Sequence, residues 1–177
     1  MPSEKPLRLF FALPCPPGLA ANICSWRDSH NLRGRPVLKN NLHLTLAFLG
    51  SQPATVLNGL SQLGDLLHGN AFTLRLNQVQ TIGHSFLCLT PSQVPPALLH
   101  LVEDLRSGLS ALGVALDSRS FLPHVTLARE ADALQPSTAS PEFEWRVDRF
   151  GLFRSENLSG GVHYDELAHW VLTAPSD

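Results

Sequence analysis

The feature that most constrains this 177-residue chain is a four-residue phrase written twice, His43-Leu44-Thr45-Leu46 and His124-Val125-Thr126-Leu127, with the two histidines 81 positions apart. On a β-strand side chains alternate between faces, so in each copy His and Thr share one side and the two apolar residues share the other. A helix would turn His and Thr about 200° apart. The runs 42–49 and 121–127 are rich in apolar and β-forming residues, which favours the strand. Each copy therefore buries its aliphatic side chains and presents an imidazole beside a hydroxyl. Two such strands facing one another bring two of each together.

The duplication extends beyond the motifs. Leu9-Phe10-Phe11-Ala12-Leu13-Pro14 precedes the first as a short apolar strand, followed by Pro16-Pro17 and an amphipathic stretch from Leu19 to Trp26. Phe86-Leu87-Cys88-Leu89-Thr90-Pro91 precedes the second, followed by Pro95-Pro96 and a stripe of Leu98, Leu101, Val102, Leu105, Leu109 and Leu112. Proline suits a helix start, where a missing N–H costs nothing, and Gly113 suits a helix stop. Each half reads strand, helix, motif strand. After the first motif, Gly50-Ser51-Gln52-Pro53 reads as a turn and N-cap. Val56, Leu60, Leu63 and Leu67 form a helical stripe closed by Gly69, and Phe72, Leu74 and Leu76 alternate as a strand. Residues 131–141 lack periodicity and read as a loop, with strands returning near 143–153 and 162–172.

The expected fold is one α+β domain over 1–177, bilobal, with two pseudo-symmetric lobes. Each lobe is an antiparallel sheet backed by helices, and the active-site cleft lies between the sheets.

Composition narrows the class. With 44% hydrophobic and 16% charged residues the chain can bury an ordinary core, and no apolar run approaches the ~20 residues needed to cross a bilayer. Pro14, Pro16 and Pro17 interrupt the N-terminal apolar stretch too early for a signal peptide, so a cytoplasmic protein is expected. Cys15, Cys24 and Cys88 have no C-x-x-C spacing and read as buried free thiols. A net charge of −2 argues against coating long nucleic acid and for local recognition at a site. Arginine outnumbers lysine 11 to 2, which fits bidentate phosphate recognition or simple codon bias. The one basic cluster, Arg33-Gly34-Arg35-Pro36 with Lys39, is either a solvated loop or a phosphate-facing one.

Two histidines suit acid–base chemistry, because an imidazole is neutral or charged near pH 7 and one can take a proton while the other gives one. Two threonine hydroxyls add donors for developing negative charge. Such a set matches in-line attack at phosphorus. No His-Glu-x-x-His, Cys/His cluster or Gly-x-Ser-x-Gly elbow is present, so no metal and no cofactor are expected.

The two motifs, the extended form Asn41-Leu42-His43-Leu44-Thr45-Leu46-Ala47-Phe48-Leu49-Gly50, the second form Pro123-His124-Val125-Thr126-Leu127 and the opening Arg8-Leu9-Phe10-Phe11-Ala12 resemble the two-histidine phosphoesterase superfamily. More narrowly, they resemble the bacterial RNA 2′,3′-cyclic phosphodiesterase, or 2′-5′ RNA ligase, family over nearly the whole chain. The resemblance implies a hydrolase that opens 2′,3′-cyclic phosphate ends of RNA to 2′-phosphates without metal. It also implies a capacity to join tRNA halves through a 2′-5′ bond. Carried over by position, His43 is the proton donor to the 3′-oxygen and His124 the base that activates water. Thr45 and Thr126 bind phosphate.

Arg129 is a further substrate contact by the same resemblance, although strict alternation sets it on the face opposite His124 and Thr126, so that it needs a bulge or the strand's end. Phe48, in parity with Leu44 and Leu46, is expected in the core, as is Phe11. His163, Tyr164 and Trp170 are assigned to packing or the surface rather than to a nucleobase. Histidines 30, 68, 84, 100 and 169 are expected to be structural or exposed. The expected partner is an RNA 3′ end bearing a cyclic phosphate, met by a monomer. The same motifs also admit a phosphodiesterase of a small cyclic or 2′-5′-linked nucleotide, or a protein that grips RNA ends without turnover.

Overall fold

Each half of the chain builds a strand, a helix and a motif strand in that order. The computed structural model describes residues 5–30, 34–83, 85–131 and 140–174. Most of the expected 131–141 loop, with Arg33 and His84, lies outside them. In the first half, β1 (Leu7–Pro14) leads to α1 (Pro17–Ser29), a two-residue β2 (Arg35–Pro36) and the motif strand β3 (His43–Gln52). Then come α2 (Leu57–Leu66), β4 (Phe72–Leu76) and β5 (Gln78–Ile82). In the second half, β6 (Phe86–Thr90) leads to α3 (Pro96–Ala111) and the motif strand β7 (Val125–Arg129). β8 (Phe143–Val147), β9 (Arg149–Leu158) and β10 (Gly161–Val171) complete the chain.

Both α1 and α3 begin on a proline pair, Pro16-Pro17 and Pro95-Pro96, and α3 stops at Gly113, whose φ of 81° supplies the left-handed turn after Leu112.

The main sheet is antiparallel and runs β10-β9-β1-β3-β7-β6-β5, with β2 on β7. Outward from the centre, β3 is flanked by β1 and β7 by β6, each the apolar strand of its own half. The two motif strands meet through a single pair, Leu44 with Val125, the residues that follow the two motif histidines. The sheets expected in two lobes are thus joined at one point. The chain is α+β, with the helices on the buried face: α3 packs on β3 and α2, and α2 on β10. β4 and β8 form a separate two-stranded sheet against α1, so the tail strand expected at 143–153 is two strands divided at Asp148. The edge strand β5, Gln-Val-Gln-Thr-Ile, has too few apolar residues to read as a strand from sequence.

Strand irregularities decide which side chains reach the cleft. Along β1, Phe11 pairs with Ala47 and Ala12 with Thr45, leaving Leu46 as an extra residue in β3. Along β6, Leu87 pairs with Ala128 and Cys88 with Thr126, leaving Leu127 as an extra residue in β7. Both are the fourth residue of their motif. An extra residue shifts the alternation by one. Leu46 and Ala47 are accordingly both buried, as are Leu127 and Ala128.

The next residue in each strand returns to the His-Thr face. This corrects Phe48, expected in the core, which is 54% exposed. It also provides the bulge that Arg129 needs. A second bulge at Leu49, with Gly50 at φ 68°, carries β3 on to Gln52 where a turn was expected.

Candidate active site

His43 opens β3, and His124, expected within its motif strand, stands just ahead of β7, which begins one residue after it. Each is anchored the same way. The His43 ring Nδ1 lies 2.7 Å from the Asn41 carbonyl, and His124 Nδ1 lies 2.8 Å from the Leu122 carbonyl. A carbonyl only accepts, so in both rings Nδ1 carries the hydrogen and Nε2 is left free to take up or release a proton. The backbone two residues upstream thus selects the tautomer. His43 Nε2 is 3.0 Å from Thr45 Oγ1, within its own motif.

These groups share one cleft of about 650 Å³ that holds His43, Thr45, His124, Thr126, Arg129 and Tyr164. All five residues expected at the site are brought together. Burial is the main cause that holds the His43 pKa below its ordinary value of 6.5, and the nearby His124 and Arg129 charges add to it; the Asn41 carbonyl bond opposes them. Cys88, which faces Thr126 at 3.7 Å, is driven by burial to a pKa of about 11 and is inert as a nucleophile. Among the described residues no group of three or more His, Cys, Asp or Glu assembles that could hold a metal ion.

Tyr164, assigned above to packing or the surface, is a cleft residue. Its ring meets His43 edge to face with centroids 5.1 Å apart and Phe10 at 5.1 Å, and Arg129 reaches its hydroxyl at 3.5 Å. Tyr164 lies opposite Ser155 of β9, itself opposite Arg8 of β1, and its strand is tied to the site by the Asn41 side-chain amide, which donates to the Val162 carbonyl at 3.0 Å. Phe10, which the sequence did not mark out, lies under the site against His43 at 5.1 Å and stacks on Phe48 at 6.0 Å with 10° between planes. The signal available was parity: Arg8, Phe10 and Ala12 share one face of β1, opposite the core face of Leu9, Phe11 and Leu13.

The remaining assignments are structural. Phe11 is fully buried. Trp170 stacks on Phe150 at 5.2 Å and donates to Asp65 at 2.8 Å, and His163 pairs with Asp165 at 2.8 Å. In the basic cluster, Arg35 pairs with Glu130.

The antiparallel sheet sets two His-Thr pairs and an arginine into one cleft, the arrangement that the resemblance to the two-histidine phosphoesterases implies. The chain belongs to the 2′-5′ RNA ligase superfamily, whose family model matches residues 15–158. It is 37% identical to the RNA 2′,3′-cyclic phosphodiesterase of Escherichia coli K12, over 96% of this chain and 99% of that protein. The crystal structure of E. coli LigT in its apo form superposes with a TM-score of 0.88 at 36% identity, covering 96% of this chain and 99% of that one. LigT complexed with 3′-AMP matches with a TM-score of 0.85 at 35% identity and the same coverage. No helix among the described residues is long and apolar enough to cross a membrane.

Proposed function

We propose that this protein hydrolyses 2′,3′-cyclic phosphate ends of RNA to 2′-phosphomonoesters, with His43 and His124 as the acid–base pair. The observation that carries the reading is the convergence of two histidines in one cleft, each with Nδ1 held by a backbone carbonyl and Nε2 left for proton transfer. The relatives supply the reaction, since the E. coli protein bears the name of that phosphodiesterase and its structure has been obtained with 3′-AMP.

In this scheme His124 Nε2 takes a proton from water, whose oxygen attacks phosphorus, and the P–O3′ bond breaks as His43 Nε2 delivers its proton to O3′. Thr45 and Thr126 donate to the non-bridging oxygens, and Arg129 offsets their charge. Burial and neighbouring positive charge make a protonated His43 a stronger acid than an exposed imidazolium, and the anionic substrate raises its proton occupancy on arrival. Replacing water by the 5′-hydroxyl of a second RNA, such as the other half of a cleaved tRNA, turns the same step into 2′-5′ joining. We place this chemistry in a single-domain monomer in the cytoplasm, a reducing compartment that suits the three free cysteines.

The test is to incubate the protein with EDTA and either 2′,3′-cyclic mononucleotides or a short RNA ending in a cyclic phosphate, and to identify the product isomer. A 2′-phosphate is expected, with His43→Ala and His124→Ala each losing roughly 10²–10⁴-fold in turnover and Thr45→Val and Thr126→Val losing less. Tight RNA-end binding without turnover would replace the enzyme by a binding protein. Turnover confined to mononucleotides would move the substrate to small nucleotides.

A further inference from the structure

Behind His43 lies a second pocket of about 300 Å³ that shares His43, Phe48, Arg129 and Tyr164 with the main cleft and adds Arg8, Ser155 and Asn157. Its chemistry differs from that of the cleft. The outer wall of the main cleft carries Ile82, Phe86 and Leu122, apolar surface suited to a base or ribose. The second pocket is lined at its polar end by arginine, serine and asparagine, and no acid lines it among the described residues.

Charge pairing marks the two arginines out further. Arg27, Arg35, Arg119, Arg149 and Arg154 each hold a carboxylate. Among the described residues Arg8, Arg75, Arg106, Arg129 and Arg146 form no ion pair; of these only Arg8 and Arg129 line the second pocket, and Arg106, at the main cleft, donates to the Asp117 carbonyl. Arg8 is exposed on the cleft face of β1, directly across from Ser155 in the sheet register. Two guanidinium groups without carboxylates, bordering one pocket with a hydroxyl and an amide, make a site for an oxyanion.

We infer that this pocket is a second phosphate subsite, built on Arg8 with Ser155 and Asn157, that takes the phosphate on the 5′ side of the terminal nucleotide. The inference rests on the reading of the main cleft as the site of the terminal 2′,3′-phosphate. Arg129 belongs to both pockets, so one guanidinium faces successive phosphates of a strand. The subsite gives the protein a means to favour nucleotides carrying a 5′-phosphate, whether that phosphate is terminal or links to a preceding nucleotide.

The test compares the affinity of the full chain for adenosine 2′-monophosphate and adenosine 2′,5′-bisphosphate by titration calorimetry. The wild type is expected to bind the bisphosphate roughly tenfold more tightly, the scale of a charge-assisted hydrogen bond to phosphate. In Arg8→Gln the ratio falls to near one. In Arg75→Gln, an exposed arginine on β4 away from both pockets, it is retained. A wild-type ratio near one, or a ratio unchanged in Arg8→Gln, overturns the subsite.

The dinucleotide ApA with a terminal 2′-phosphate separates the two sources. An affinity gain matching that of the bisphosphate identifies an RNA strand, and a gain seen only with the bisphosphate identifies a 5′-phosphorylated nucleotide. Binding needs no turnover, so the two readings fail separately. Hydrolysis with a ratio near one removes the subsite alone, and an Arg8-dependent ratio without hydrolysis removes the proposed reaction alone.

Discussion

At the residue scale, the same chemical group does different work according to which side of a strand it occupies. Phe11 is fully buried in the core and Phe48 is 54% exposed in the cleft. Phe11→Ala is therefore expected to cost about 3–5 kcal/mol through lost burial and the cavity it leaves, and Phe48→Ala about 1 kcal/mol, the scale of its stacking on Phe10. Urea unfolding of the two variants measures the difference, and equal losses would contradict the placement of Phe48.

The histidine environment also predicts a pH profile. The acid–base pair works with one proton shared between its members, so activity falls on the acid side once both are charged and no base remains. Because burial holds the His43 pKa below 6.5, the acid limb of kcat/KM is expected below pH 6.5, and stopped assays across pH 4.5 to 9 would locate it. A flat profile, or an acid limb above 6.5, would sink this assignment.

At the scale of elements, the decisive devices are the bulges at Leu46 and Leu127 and the close approach of α2 to its neighbours. Each bulge buries two successive residues and returns the next to the His-Thr face, which places Phe48 and Arg129 at equivalent positions on their two strands. Gly64 of α2 faces Trp170, and a Cβ there would stand 2.1 Å from the indole. The indole is not free to yield, since it is stacked on Phe150 and bonded to Asp65. Gly64→Ala gains about 1 kcal/mol of helix propensity and is nonetheless expected to destabilise by about 1–3 kcal/mol, because overpacking against a fixed ring is the larger effect. Denaturant midpoints decide the sign, and a stabilised variant would show that the ring can move.

At the scale of the whole molecule, one core joins both halves. Leu9, Leu13 and Leu44 of the first half and Leu89, Leu105 and Val125 of the second belong to a single buried cluster. The halves repeat in sequence order yet share their interior, so they are expected to unfold together. Tryptophan fluorescence and far-UV circular dichroism should report one coincident transition in denaturant. Two separated transitions would show that each half is stable alone.

What could be read from the chain by itself was local and periodic. The motif faces, the proline-started helices, the stop at Gly113 and the pairing of His43, Thr45, His124 and Thr126 all follow from alternation, helical spacing and backbone conformational limits, which act over a few residues. Family resemblance added Arg129 with the condition of a bulge. The tertiary structure alone decided where alternation breaks, because a bulge is an accommodation between paired strands and leaves no mark in the spacing of either one. It likewise decided that Tyr164, on the edge strand β10, lies against His43, since that contact depends on the pairing of distant strands and on a bond from Asn41 to Val162, 121 residues away.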